Sequence, residues 1–556
     1  VPPQLDQLSL RDRIAQLIIV RGYGDFPSTG DAEYTRFRHW IEDEHVGGFI
    51  VAGRIRNGNV IPAQPFEMAA FINATQRQPK LPLLVASDFE RGASMRVAGT
   101  ARFPYMMAFG AARDLQAVRE LGAATAREAR ALGVTWVFAP DADVNNNPDN
   151  PVINIRSFGE DPRAVSDAVA AFIAGAHSDA GNYVLLAAKH FPGHGDTAQD
   201  SHKQLALLNQ SKERIENVEL MPFRSAIEHG IDSVMTAHMA VPAFEPQPIP
   251  ATVSHAILTN LLRDELDFRG IIVTDAMEMQ GVAALYTPGE AAVRAVEAGA
   301  DVLLMPTDPD ACIEAIAAAV KSGRLSQERI DASVKRILAA KQQTGLFDDR
   351  YVKLDQITER LDASKLDALA ESVAERAITL LKDDQHLFPL PANAAPCLVV
   401  LGEGLFPARG EVLARELAQR VPALKVYPAD SGMPDNLLAA YAAQTSACRQ
   451  IYAATFVSVA AHHPGLNRLL SSLISGQPPV ALISFGNPYL LKDFPGVAAY
   501  ATTFSTAVSS EAAVARAIAG EIPIAGKMPV SIPGLAKIGD GLSVPARKQA
   551  ASNGTK

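Results

Sequence analysis

Along the first 310 residues the chain alternates short apolar runs with longer stretches in which apolar side chains return every third or fourth position. The runs are QLIIV (Gln16–Val20), VGGFIV (Val46–Val51), PLLVAS (Pro82–Ser87), VTWVFAP (Val134–Pro140), YVLLAAK (Tyr183–Lys189), DSVMTAH (Asp232–His238), GIIVTD (Gly270–Asp275) and ADVLLMP (Ala300–Pro306). Their apolar positions run on without alternating with polar ones, as expected of strands buried on both faces. Between them, DLQAVRELGAATAREARALG (Asp114–Gly133) has helical spacing and an Ala, Leu, Arg and Glu content that favours helix. Buried strands alternating with helices predict a parallel sheet. An open doubly wound sheet would alternate in the same way, but eight strands in succession predict closure into a (β/α)8 (TIM) barrel.

The pattern changes beyond the barrel. SQERIDASVKRILAAKQQTG (Ser326–Gly345) reads as an amphipathic helix, and LDASKLDALAESVAERAITLLKD (Leu361–Asp383) opens a new helical region. Strand candidates then follow at CLVVLG (Cys397–Gly402), QIYAATF (Gln450–Phe456) and VALISFG (Val480–Gly486), again with helices between them. The expected α/β architecture is a catalytic barrel over 1–350, a linker over 351–372 and a smaller open α/β (αβα) sandwich over 373–540. A disordered tail is expected over 541–556, and no repeat of fixed period is evident.

Composition narrows the classes of function. A chain of 556 residues is too long for one ordinary core. A net charge of -10 without a basic run argues against nucleic acid or an anionic membrane as partner. No apolar stretch is long enough to predict a transmembrane segment. The three cysteines, Cys312, Cys397 and Cys448, are far apart and suggest neither a zinc site nor a disulfide framework. The start at Val-Pro-Pro, without an initiator Met, leans towards an exported protein, periplasmic or extracellular, with a cytoplasmic one as the alternative. Nothing in the sequence sets an oligomeric state.

Active groups of a barrel lie just beyond the carboxyl ends of its strands. Asp88 follows the third predicted strand, Asp141 and Asp143 the fourth, Lys189 and His190 end the fifth, His238 the sixth and Asp275 the seventh. So many ionisable groups on one rim point to chemistry, because burying them without a task is costly. The densest stretch is KHFPGHGDTAQDSH (Lys189–His202), which holds three of the twelve histidines.

This stretch admits three readings. A metal site would need His190, His194 and His202 to converge with a carboxylate, but FPGHG turns sharply and offers no helical pair of histidines. A structural role suits His194, flanked by glycines. In Asp200-Ser201-His202, alternate positions of an extended segment face the same way, so Asp200 can hold the His202 imidazole for proton transfer. With Asp275 as an anionic nucleophile across the pocket, such a pair supports displacement at a sugar carbon with retention.

These residues resemble glycoside hydrolase family 3, and within it the β-N-acetylglucosaminidases. KHFPGHG followed by DSH is specific to that subgroup, and IIVTDAMEM resembles the family's nucleophile region. NPVINIRSFGEDP (Asn150–Pro162), SVMTAHMAVP (Ser233–Pro242) and GKMPVSIPG (Gly526–Gly534) extend the likeness over nearly the whole chain. The resemblance implies Asp275 as nucleophile, His202 as acid/base and Asp200 as its dyad partner. It also implies Asp88, Arg156, Lys189 and His190 as substrate-binding residues, with no metal and no cofactor. The substrate implied is a GlcNAc-containing oligosaccharide or muropeptide. A β-glucosidase or broad β-hexosidase of the same family is the alternative, with a metal-dependent barrel hydrolase behind it. Family 3 β-glucosidases usually draw the acid/base glutamate from the second domain, so DSH inside the barrel argues for the acetylglucosaminidases. One stretch departs from the pattern: DFERGAS (Asp88–Ser94) has Arg91 where the family often has glycine, and Arg91 is expected to play a structural part.

Overall fold

The computed structural model describes residues 5–28, 30–56, 59–361, 363–391, 394–402, 409–456 and 464–547. They form two compact units. One holds the residues up to Ala101 with Leu115–Ser157 and Asp161–Leu366; the other holds Arg102–Asp114, Phe158–Glu160 and the described residues from Asp367 on.

The first unit is an eight-stranded parallel barrel. Its strands are β1 (Ile18–Gly22), β2 (Gly48–Val51), β3 (Leu84–Ser87), β4 (Trp136–Val137), β5 (Leu185–Phe191), β6 (Ser233–Thr236), β7 (Ile271–Thr274) and β8 (Leu303–Leu304). They pair in chain order, β1 also pairs with β8, and the circle closes through a parallel bridge between Val273 and Val302. Every residue of β2 to β8 is buried, which is why the strands lack alternation.

Helices cover the outside. They include α1 (Ala32–Glu42), α2 (Pro65–Gln76), α3 (Leu115–Leu132), α4 (Pro162–Ala176), α5 (Met221–Glu228) and α6 (Ala256–Glu265), the last wound as a π-helix. After β7 and β8 come α7 (Pro288–Ala298), α8 (Pro309–Ser322) and α9 (Gln327–Gln343). Local chemistry starts several of them. Asp161-Pro162 and Asp308-Pro309 each place a carboxylate on an otherwise unpaired backbone N–H and a proline where no donor is needed.

The second unit carries six strands: β9 (Thr379–Asp383), β10 (Pro396–Gly402), β11 (Lys425–Asp430), β12 (Gln450–Phe456), β13 (Val480–Ser484) and β14 (Ala499–Thr502). Their order is β9-β14-β13-β12-β10-β11, parallel except for β9 against β14. Its core includes Leu398, Val400, Tyr452, Ile483 and Ile518.

Several expectations need correction. The helix read over Leu361–Asp383 ends at Ala377, and Thr379–Asp383 is strand β9. The stretch expected as a linker is largely helical, and the boundary between units, Leu366/Asp367, falls inside it. Two segments from within the barrel's span, 102–114 and 158–160, belong to the second unit, where Glu160 accepts hydrogen bonds from Ser531 and Gly110 lies against Phe158. Cys397 and Cys448 form a disulfide, with Cα atoms 5.9 Å apart, because pairing of β10 with β12 brings them together. Of the tail expected from 541, residues 541–547 pair through Leu542 with Leu380 and through Val544 with Ile524; residues 548–556 lie outside the described residues.

Candidate active site

Strand β5 runs through Lys189 and His190 to the barrel rim, so both side chains leave the sheet among the loops that follow β3 and β4. The Lys189 ammonium donates to Asp88 at 3.0 Å and lies 2.7 Å from a Glu90 oxygen. Glu90 also takes Arg156, through Nε at 3.1 Å and Nη2 at 2.7 Å. Asp88 takes Arg96 at 3.0 Å, and Arg156 Nη2 lies 3.3 Å from His190 Nε2. Four of the residues expected to bind substrate, Asp88, Arg156, Lys189 and His190, are thus gathered into one network, with Glu90 at its centre.

Backbone chemistry holds this network in place. The β3 loop turns at Gly92, whose φ of 82° is one that favours glycine. After β4, the Asn150 side chain accepts from Val152 and Ile153 N–H and donates to the His194 and Gly195 carbonyls, tying the Arg156 loop to the β5 loop. The charges balance one another. Burial pushes Glu90 up, but Arg156 and Lys189 outweigh it and hold the carboxyl well below its usual range. Asp88 is likewise lowered, Lys189 and Arg96 overcoming burial. Lys189 is raised because Glu90 and Asp88 outweigh its desolvation.

Beneath this layer, Asp143 anchors two histidines. Its carboxylate contacts His190 Nδ1 at 2.8 Å and accepts from the His194 backbone N–H at 2.5 Å. Burial pushes Asp143 up, but His190 outweighs it and the carboxyl is lowered. Asp141 is opposite in character. It is buried, its Oδ2 makes no hydrogen bond among the described residues, and Arg156 Nη2 is 3.7 Å away. Burial first, then the neighbouring Asp143, push it well above the usual carboxylate range.

Asp275 stands just past the end of β7 and accepts from the Ala276 N–H at 2.7 Å. Burial pushes its carboxyl up, yet His190, His238 and Lys189 keep it lowered and ionised. His238 is fixed between the Thr252 hydroxyl at 2.7 Å and the Ala276 carbonyl at 2.9 Å. Burial lowers His238, and the groups that act on it include Asp275, His202 and His190.

Asp200 and His202 are in contact within a turn, closed by the Lys203 and Gln204 N–H groups on the Asp200 carbonyl, and not on the extended segment expected. Asp200 Oδ1 lies 2.9 Å from His202 Nδ1 and accepts from the His202 N–H at 3.0 Å, while Lys203 approaches its other oxygen at 3.2 Å. The loop is fastened to the segment leading out of β7: Gln280 N–H donates to the His202 carbonyl at 3.3 Å, and Gly281 N–H to that of Ser201 at 3.2 Å. A Cβ on Gly281 would stand 2.8 Å from His238 Cβ and 3.0 Å from the Ser201 carbonyl, so the approach requires glycine. The His202 side chain is 60% exposed.

His194 turns out to brace the loop. Its ring nitrogens meet Ser201 Oγ at 2.8 Å and Thr197 Oγ1 at 2.7 Å, and burial lowers it to about 4, so it is neutral. Among the described residues, His190, His194 and His202 do not together form a group that could share a metal ion. The groups that could are Asp141, Asp143 and His190, and separately His39, Glu44 and Asp310. Glu90 and Arg96 escaped the sequence reading. The only signal for Glu90 was an acidic residue two positions beyond Asp88.

Comparison with known proteins follows the same lines. The family profile described as "Glycosyl hydrolase family 3 N terminal domain" matches residues 9–340. The chain is 28% identical over 553 residues to "Beta-N-acetylglucosaminidase/beta-glucosidase" of Cellulomonas fimi, covering 95% of this chain and 94% of that protein. It is 35% identical over 346 residues to "Beta-hexosaminidase A" of Pseudoalteromonas piscicida, covering 58% of this chain and 57% of that one. A solved glycoside hydrolase family 3 β-N-acetylglucosaminidase from Paenibacillus sp. has a TM-score of 0.85 and 32% identity, over 94% of this chain and 99% of its own.

Proposed function

The chain belongs to glycoside hydrolase family 3, and within that family we propose that it is a retaining exo-β-N-acetylglucosaminidase. It removes terminal GlcNAc from peptidoglycan fragments or chito-oligosaccharides. Asp275 attacks the anomeric carbon while His202, oriented by Asp200, protonates the glycosidic oxygen. The covalent glycosyl-enzyme then reacts with water that gives its proton to the neutral His202. Asp88, Arg156, Lys189 and His190 exchange hydrogen bonds with the sugar hydroxyls, which must regain what they lose on leaving water. The exposure of His202 suits a group that trades protons with solvent and a leaving group.

The observation that carries this reading is the Asp200–His202 contact at 2.9 Å on a loop whose backbone is bonded to residues 280–281, beyond Asp275. The test is turnover of an aryl β-GlcNAc glycoside with the first-formed anomer read by NMR. The β-anomer is expected, and Asp275→Ala should lose about 10⁴-fold or more. His202→Ala should slow substrates with poor leaving groups far more than activated aryl glycosides. An α-anomer as first product refutes retention. Full activity in the Asp275 variant removes that residue from the mechanism. A broader β-hexosidase is the second reading, favoured by the double name of the Cellulomonas fimi relative. Comparable rates on aryl glucoside and aryl GlcNAc substrates would select it.

A further inference from the structure

The base of the barrel, opposite the rim that carries Asp88 and Asp275, holds a small polar cavity of about 130 Å³. Three stretches of chain line it. Arg130 comes from the last turn of α3, just before β4, and Gly181 from the turn Ala180–Asn182 that leads into β5. Asp349, Lys353, Gln356 and Arg360 come from the segment beyond α9. All of them belong to the first unit. Segments that feed barrel strands at their amino ends lie on the face remote from the chemistry, where a site serves stability.

The charges of this lining do not cancel. Arg130, Lys353 and Arg360 stand against a single carboxylate, Asp349, which takes the Tyr351 N–H at 3.1 Å. Charged neighbours outside the lining are committed elsewhere. Asp179 accepts from the Gly181 N–H at 2.9 Å and the Asn182 amide at 2.7 Å, and Arg350 donates to the Pro79 carbonyl at 3.1 Å. Arg360 donates to the Asn182 side-chain oxygen. Arg130 differs from these. Its guanidinium is half-buried and has no hydrogen bond or ion pair among the described residues. Burial first, then the nearby Arg360, lower its proton affinity, and Asp349 only partly offsets them. A guanidinium drawn out of water beside a second one, with no acceptor, is destabilising as it stands. Three cations less one carboxylate leave two positive charges for a ligand to neutralise. Arginine meets oxyanions through paired N–H donors. A water takes about 30 Å³ of liquid volume, so the cavity has room for one small oxyanion. It is well below the volume of about 300 Å³ at which pockets for larger ligands begin.

We infer that this cavity binds one tetrahedral dianion of the phosphate or sulfate class, held chiefly by Arg130, Arg360 and Lys353. The bound anion joins α3, the entry to β5 and the 349–360 segment, and so braces the base of the barrel. It supplies the acceptor that the protein does not give Arg130.

The test follows thermal melting of the full chain by tryptophan emission, because both tryptophans, Trp40 and Trp136, lie in the barrel unit. Millimolar inorganic phosphate is expected to raise the wild-type midpoint by about 2 °C or more over chloride at equal ionic strength. In chloride, Arg130→Met should melt no lower than the wild type, because it removes an unpaired guanidinium. Phosphate should give that variant less than about a third of the wild-type shift. A wild type that phosphate does not stabilise overturns the site. So does a variant that gains the full shift, which is what a bulk salt effect or binding at the catalytic rim produces. A variant midpoint in chloride well below that of the wild type shows that the protein itself partners Arg130, and also overturns it. Acetate at the same ionic strength should leave the wild type near its chloride midpoint, and a shift as large as that of phosphate overturns the choice of a dianion. Should Arg130→Met not fold, Lys353→Gln, at an exposed position, takes its place in the phosphate comparison.

Discussion

Replacing Glu90 with Gln removes one charge from the centre of the buried network while keeping the side chain's shape. Glu90 is 6% exposed and is the shared partner of Arg156 and Lys189. Without it Lys189 retains Asp88 at 3.0 Å, whereas Arg156 is left with the Val152 carbonyl and His190 Nε2, each at 3.3 Å, and Asp141 at 3.7 Å. Removing one partner of a buried ion pair costs about 3–5 kcal/mol. Here a reserve of charge lies alongside. The proton affinity of Asp141 is raised by burial, by Asp143 and by Glu90 itself. Loss of the Glu90 charge makes ionisation of Asp141 easier, and the new carboxylate faces Arg156. Glu90→Gln should therefore cost less than that full amount. Asp141→Asn alone, a neutral amide where burial already disfavours the carboxylate, should cost under about 1 kcal/mol. The double variant should exceed the sum of the two by about 1–2 kcal/mol, because the reserve is gone.

Urea unfolding at pH 7, followed by the emission of buried Trp136, reads the stability of the barrel. Additivity to within about 0.5 kcal/mol would refute the idea that Asp141 answers for Glu90. The pH dependence gives an independent sign. The folded-state value of Asp141 lies above its unfolded one, so its contribution is complete below the ordinary carboxylate range and disappears as pH rises through the raised value. Asp141→Asn should remove that part of the pH dependence.

Lys341 is wholly buried beneath the barrel, with one hydrogen bond to Gln16 Oε1 at 2.6 Å; burial and the nearby Arg350 lower it from 10.5 to about 7. The unfolded chain therefore binds the extra proton between about pH 7 and pH 10.5, and stability should rise with pH across that window, by up to about 5 kcal/mol. Lys341→Met should be more stable than the wild type at pH 6 by about 2–4 kcal/mol, after allowing for the acceptor it leaves unpaired on Gln16, and should show a flatter pH profile. A variant less stable than the wild type in urea unfolding at pH 6 would contradict this. Cys397 and Cys448 are 51 residues apart, so opening their loop with Cys448→Ser should cost up to about 4 kcal/mol in the second unit. Reductant should lower the melting transition of the wild type and leave that of the variant unmoved.

The barrel was legible because parallel strands covered on both sides need no polar positions. Runs such as LLAAKHF and IIVT therefore stand out from the helices between them. The second sheet was half legible. Strands β10, β12 and β13 are central and apolar, but β11 is an edge strand whose KVYPAD is largely exposed and interrupted by proline. Strand β9 follows helix Ala363–Ala377 after a single residue, so its apolar positions read as one more helical turn. The disulfide depended on the β10–β12 register, which spacing along the chain does not reveal.

The candidate site divides in the same way, by whether a residue's task depends on neighbours near in sequence or distant from it. Asp200 and His202 are two positions apart, so the motif was enough to mark the pair, although the backbone between them is a turn and not an extended segment. Lys189, His190 and Asp275 lie at strand ends, where the barrel alone fixes the rim they face. The state of Asp141 is of another kind. A chain read in one dimension shows an aspartate at a strand end like Asp143, two residues on. Yet Asp143 is ionised against His190 and His194, while Asp141 is buried beside acids, with the Asp143 N–H at 3.1 Å and a guanidinium at 3.7 Å. Proton affinity differs between the two because it sums over charges brought in from β3, β5 and the Arg156 loop. A substitution in any of those elements should therefore change the charge on Asp141 without touching the residue itself.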